Sequence, residues 1–191
     1  RVGEPVGAFW GLTRLGTWGT DEAEEAAKYF SYRNNLKILP GDIKYLDVNE
    51  DYAITDADRT IIGNGSPKAW GALTNYVKYG SFDFSLELQY SYGNDIMDMN
   101  LHSSEDRQSL ANSYRTVLDA WTPEHQNTMI AQVRDTRAGY VTNVDTHWVQ
   151  DGSFVRGRNV LLGYTIPPSI LEKIQVERLR VYTSVQNFFL L

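Results

Sequence analysis

Phe82-Asp-Phe-Ser-Leu-Glu-Leu-Gln-Tyr-Ser-Tyr92 is the stretch on which the fold turns. Phe82, Phe84, Leu86, Leu88, Tyr90 and Tyr92 share one face, and Asp83, Ser85, Glu87, Gln89 and Ser91 share the other. Unbroken period-2 alternation places one face in an apolar medium and the other in water. Along the apolar face, aromatics stand at both ends and aliphatics in the middle. A membrane-spanning strand needs about 9–11 residues, a lipid-facing apolar band and an aromatic girdle at each edge. This segment has all three. A strand of a soluble sandwich alternates in the same way, although such strands usually run about 5–6 residues, so both readings are open at this point.

The preceding residues supply a partner. Gly80-Ser81 is a two-residue connection with Gly first, as a type II′ turn requires. That turn sets Tyr79 opposite Phe82, Val77 opposite Phe84, Leu73 opposite Leu88 and Gly71 opposite Tyr90 on the apolar side. On the polar side Lys78 meets Asp83 and Thr74 meets Glu87. The opposite-charge pair is favourable. Asn75 is the misfit, because this register points it toward lipid beside Leu86 unless a bulge intervenes.

Outward from the hairpin, bulk composition narrows the classes. The 191 residues carry a formal charge of −6 and no cluster of Lys and Arg to track phosphates, which argues against a nucleic-acid partner. Twelve Tyr and five Trp suit a membrane-interface belt or a binding surface. The absence of Cys excludes a disulfide framework and any Cys-based zinc or redox site. No run of about 18 apolar residues exists, and Arg1-Val-Gly-Glu-Pro-Val6 is no signal peptide, so the chain reads as mature, soluble or part of something longer.

Val6–Trp18 reads as a Gly-interrupted aromatic strand. Thr20–Phe30 reads as a short helix with Thr20 as N-cap, Asp42–Val48 as a weak strand and Asp47–Ile62 as an acidic loop. Asn94–Asp145 is long and polar, with a helix expected over Glu105–Ala120. Trp148–Ile166 returns to strand, Ser169–Ile174 is one helical turn, and Glu177–Phe188 is the last strand. Connections alternate long and short. That is the pattern of an outer-membrane barrel, with large loops outside and tight periplasmic turns.

Four stretches now look familiar together: Gly41–Ile96, Trp121-Thr-Pro-Glu-His125, Asp151–Pro168 (DGSFVRGRNVLLGYTIPP) and Leu179–Phe189 (LRVYTSVQNFF). In this order and spacing they resemble the C-terminal part of SusC/RagA-type TonB-dependent transporters of Bacteroidetes. The resemblance implies an all-β fold: about five strands of a 22-stranded antiparallel transmembrane β-barrel, with long extracellular loops. It implies that residues 1–191 are part of one barrel domain, in the bacterial outer membrane and in contact with its lipid. A SusD-like lipoprotein would cap it, TonB would act through an N-terminal plug, and the cargo would be oligosaccharide or peptide. Plug, signal peptide, TonB box, most strands and the usual terminal aromatic are missing, so the chain reads as a fragment. Alone it would leave two sheet edges open in lipid. Arg178 and Arg180 would face the interior, pairing with acids of the plug or lining the wall.

Asp47, Asn49, Asp51, Ala53 and Asp58 fall at positions 1, 3, 5, 7 and 12 of an EF-hand-like calcium loop, hard oxygens spaced around one cation, with Ala53 offering its carbonyl. Tyr52 stands where that loop wants Gly, and Asp58 where it wants Glu. The residues hold calcium to stiffen the loop, or they close the loop by Asx turns without metal. His102, His125 and His147 lack metal-ligand spacing and read as surface histidines. Tyr114, Trp121, Tyr140 and Trp148 lie in or beside long loops, where they would contact cargo or lid, or pack the loops on one another. No nucleophile elbow or phosphate loop exists, so no enzyme is expected. The rivals are a secreted, soluble, calcium-dependent carbohydrate-binding β-sandwich and a glycoside hydrolase that uses Asp83 and Glu87 as its carboxylates.

Overall fold

The computed structural model describes residues 3–31, 37–105, 112–133, 144–172 and 175–191. Along the chain run β1 (Ala8–Gly11), β2 (Arg14–Thr17), α1 (Ala23–Ala26), β3 (Phe30–Ser31), β4 (Ile43–Tyr45), β5 (Ala53–Ile54) and β6 (Thr60–Asn64). There follow β7 (Ala69–Tyr79), β8 (Phe82–Tyr92), β9 (Asp95–Met97), α2 (Met99–Ser104), β10 (Val149–Asp151), β11 (Phe154–Thr165), α3 (Pro168–Leu171) and β12 (Arg180–Leu190). The chain divides into two compact units. One holds residues 1–66 and 95–151, here called the loop unit. The other holds residues 67–94 and 152–191, here called the sheet unit.

The sheet unit is one antiparallel sheet in the order β12-β11-β8-β7, with strands of 11 or 12 residues. The hairpin pairs in the register expected from the turn: Tyr79 with Phe82, Leu73 with Leu88, Lys78 with Asp83. No bulge interrupts it, so Asn75 does lie opposite Leu86. Gly80 sits at φ 56°, the left-handed conformation that the first turn position demands. On the next strand Tyr164, Leu162 and Val160 extend the apolar row beside Phe82, Phe84 and Leu86, and Val181, Thr183 and Val185 extend it again. Leu73, Leu162 and Val181 are 58%, 48% and 59% exposed. The apolar face is therefore bare, whereas a sandwich would cover it with a second sheet.

The loop unit is built of two-stranded pieces: β1 with β6, β2 with β4, β3 with β5 and β9 with β10. Its core gathers Leu12, Trp18, Ala26, Ile38, Ile43, Tyr45, Ile54 and Ala131, with Tyr29 packed against them.

Several local expectations change. Val6–Trp18 is not one long strand: the backbone of Leu12 turns aside to bond Val144 and Thr146, and a Cβ on Gly11 would strike the Val144 carbonyl. α1 is one turn whose N-terminal flanking residue is Glu22, with no side-chain cap, and the Thr20 hydroxyl is taken up by Gln126. Within Glu105–Ala120 the described residues form only a 3-10 turn over Arg115–Asp119, and α2 has already ended at Ser104; β-branched Thr116 and Val117 disfavour a longer helix. The strand expected from Trp148 breaks at Gly152-Ser153, where Gly152 donates to Asn94 and the Ser153 hydroxyl accepts from Gly93. The last strand is displaced toward the C-terminus, starting at Arg180 and reaching Leu190.

Candidate functional site

Every charged residue of the four long strands lies on the polar face. Lys78, Arg156, Arg158 and Arg180 are the cations, Asp83 and Glu87 the anions. A charge facing the bilayer midplane costs about 2–4 kcal/mol, so this segregation is what a lipid-exposed wall requires. Near the tight turn Arg180 grips Asp83 through one guanidinium edge, Nε at 3.0 Å and Nη2 at 2.5 Å. The fork passes over Gly163, where a Cβ would lie 2.5 Å from Arg180 Nη2 and 2.6 Å from the Asp83 carboxylate. Arg180 is thus tied to the wall itself. Arg178 precedes β12 and is exposed.

Higher up, the register of β11 against both neighbours shifts between Gly157 and Asn159. The bulge puts Arg158 and Asn159 together on the polar side, and Arg158 Nη1 meets Glu87 Oε1 at 3.0 Å. Across from Gly157, whose Cβ position would fall into the Phe188 and Phe189 rings, β12 carries its own kink at Asn187, φ 49°.

In the loop unit the organising group is Asp145, which is fully buried. Its Oδ2 accepts from Arg14 Nε at 3.0 Å, Arg14 Nη2 at 2.6 Å and the Tyr45 hydroxyl at 3.0 Å, and its Oδ1 accepts the His147 amide at 2.9 Å. Arg14 also donates to the Met129 carbonyl at 2.7 Å and lies 4.8 Å from the Trp148 ring centre. Four segments thereby share one charge pair. Burial, reinforced by the Asp145 charge, pushes the Tyr45 phenol well above its ordinary pKa, so it remains a donor.

Beside this cluster His147 Nε2 stands 2.8 Å from Glu105, whose other oxygen accepts from the Thr116 hydroxyl at 2.6 Å. Burial raises the Glu105 pKa, but the hydrogen bonds from His147 and Thr116, with the charges of His147 and Arg14, outweigh it. The carboxyl is held below its ordinary range. His147 is therefore an internal residue, not the surface histidine expected. His125 is at the surface, bonded to Asp119 at 2.8 Å. These partners lie up to 131 residues apart, and no local sequence signal marks them.

The Asp47–Asp58 segment folds as a tight turn. Asp47 accepts the amides of Glu50, Asp51 and Tyr52, and Asp51 accepts that of Ala53. Tyr52 adopts φ 60° at the position where the loop wants Gly, and its ring packs on Tyr29 at 5.2 Å, which offsets the backbone cost. Asn49 bonds Asp51. Asp58 is buried and caps the 3-10 turn over residues 56–58, accepting from Thr55 at 2.7 Å and Val48 at 2.9 Å. Among the described residues no three His, Asp or Glu side chains converge as metal ligands. Of the loop aromatics, Trp121 and Trp148 are 7% and 1% exposed, and Tyr114 is 47% exposed. Tyr140 lies outside the described residues. Burial in a stretch of chain only deepens as more protein is added, so the two indoles brace the loop unit from within.

Comparison with known proteins identifies this architecture. The chain is 32% identical over 189 residues to TonB-dependent receptor P3 of Formosa agariphila, across 98% of its own length. The chain belongs to the TonB-dependent receptors. TonB-dependent receptor P26 of the same organism is 29% identical over 190 residues. Each match takes in 18% of the relative, so the chain spans about a fifth of the length of these receptors. No protein-family model matches it. Among solved structures, the RagAB peptide transporter superposes with a TM-score of 0.69 at 17% identity, over 96% of this chain and 19% of that one. The closed-closed RagAB peptide importer gives 0.64. The fold is that of a portion of such a barrel, and the sheet unit is barrel wall.

Proposed function

We propose that this chain works within an outer-membrane importer driven by TonB, with its sheet as barrel wall and its loop unit as extracellular loops around the cargo. The carrying observation is the confinement of every charged side chain to one face of four membrane-length strands. Its relatives are receptors and transporters by name, and no reaction is assigned to any group here. The RagAB structures are named as a peptide transporter and importer, which favours peptide over oligosaccharide and supports a SusD-like lipoprotein as lid. TonB would act on parts of the receptor outside this stretch. Tyr114, open to solvent, is the described aromatic best placed to meet cargo or lid.

The test is location. Residues 1–191 are to be sought by peptide mass spectrometry in fractionated source cells. Recovery from detergent-extracted outer membrane, within a chain of roughly a thousand residues (189 being 18% of the relative), is expected. Recovery as a soluble 21.7 kDa species would replace this reading with the secreted binding module.

The turn geometry at Asp47, Asn49 and Asp51 supports calcium as a stiffener of the loop unit. Those side chains and the Ala53 carbonyl would hold the ion, joined by Asp58 only if it leaves its cap. Calcium added to chelator-treated receptor is expected to slow proteolysis within residues 41–66. Unchanged cleavage rates remove the ion from the account.

A further inference from the structure

We propose that the bulged tier of the wall, centred on Arg156 and Arg158, is a docking point for a carboxylate carried by the cargo. The inference rests on the transport reading, which makes the polar face of the sheet the inner surface. In register across three strands this level holds Arg156 beside Gln89 and Asn159 beside both Glu87 and Gln186. The bulge places Arg158 next to Asn159, so donors gather where a regular strand would send one of the two outward. Arg156 stacks on Phe154 at 5.1 Å, and among the described residues it has no carboxylate partner.

Arg158 is bound only through one nitrogen to one oxygen of Glu87, and its side chain remains 59% exposed. A guanidinium carries five donors in a fork matched to a carboxylate. Most of the donors on both arginines are therefore available. The lower tier differs. There Asp83 takes two donors of Arg180, Nε and Nη2, along one edge of the guanidinium, so that pair serves as a staple. Each tier carries two cations to one carboxylate, and the upper one differs in presenting two guanidiniums, one of them held by a single contact and the other with no carboxylate partner among the described residues. An inner wall with an Arg pair only partly neutralised by one Glu attracts anionic groups, and the attraction is screened by salt.

Carboxylates occur on acidic peptides and on uronate oligosaccharides, and the experiment separates the two sources. Binding to detergent-purified intact receptor is measured by calorimetry with four probes. These are a synthetic hexapeptide rich in Asp and Glu, its Asn/Gln counterpart, a hexauronate and a neutral hexasaccharide. Wild type is expected to prefer the acidic member of one pair by about fivefold at low salt, the scale of one partly screened ion pair. The preference should fall as salt rises. The Arg156→Gln/Arg158→Gln double variant should lose the preference while keeping its affinity for the neutral member. No preference in either pair, or one that survives the double substitution, overturns the inference. Lys78→Gln, at the level of the lower tier, should leave the preference unchanged; loss there too would show a diffuse field rather than a docking point and equally overturns it. Mislocalisation in the fractionation experiment would sink the transport reading separately. Heat-dependent gel mobility confirms that each variant retains its barrel.

Discussion

The sheet unit and the loop unit have opposite anatomies. In the sheet, charge is external and confined to one face, with Arg158 and Glu87 paired between adjacent strands and Arg180 reaching across β11 to Asp83. Cohesion comes from continuous backbone ladders that need no core. In the loop unit the decisive charges are internal: Arg14 and Asp145 have side chains 2% and 0% exposed, surrounded by Tyr45, Trp148 and a small aliphatic core. A strand that spans lipid must satisfy every backbone group through its neighbours. Loops have no such ladder, and here a buried charge hub with several donors takes its place. The same chemistry, an Arg forked onto an Asp, thus serves as wall staple in one unit and as keystone in the other.

Four measurements would break or sharpen this contrast. Asp145→Ala strands the buried guanidinium of Arg14 and should cost the loop unit about 3–5 kcal/mol. Hydrogen exchange should accelerate throughout residues 8–66, while amides of β8 and β11 keep their protection. If both units loosen together, the separation is wrong. Next, Leu86→Arg should cost about 2–4 kcal/mol in folding into lipid vesicles, and Ser85→Arg, one residue along on the polar face, less than about 0.5 kcal/mol. Equal penalties would mean that the faces have been misassigned.

Acid supplies the third. The Glu105 pKa is lowered in the fold, so its stabilisation is full above the unfolded carboxylate value and lost as pH falls through the lower folded one. Protease sensitivity of the loop unit should therefore rise below about pH 4.5, and Glu105→Gln should flatten that part of the profile. The smallest effect is Asn75→Leu. Removing an amide from the lipid face should stabilise the sheet by about 1 kcal/mol, read as a shift in the urea midpoint.

How much of this was legible beforehand follows the same divide. The hairpin register was readable from Gly80-Ser81 and the alternation of Phe82–Tyr92, because turn geometry and a period of two leave one pairing that sets the apolar residues of Phe82–Tyr92 beside Leu73 and Val77 on one face. The bulge at Arg158 was not readable: the extra residue hides inside an apparently regular strand. The break at Gly152-Ser153 had a weak signal in its glycine, and Val6–Trp18 carried glycines that hinted at its division. The Asp145 hub had no signal at all. Asp145, Arg14 and Tyr45 sit in unrelated segments, and only tertiary packing makes them neighbours. His147 was misplaced for the same reason, since its partner Glu105 is 42 residues away.

The span of the Arg14–Asp145 pair, 131 residues, has a consequence for assembly. The whole β7–β8 hairpin lies between the two partners in sequence. Arg14 must therefore wait, its charge solvated, while the hairpin and the polar run after it are threaded through. Closing so long a segment carries an entropic cost that grows with the logarithm of its length, and contacts of this separation form late. The hub is thus a checkpoint in time. The loop unit cannot lock until its two halves, which flank the hairpin in sequence, have come together.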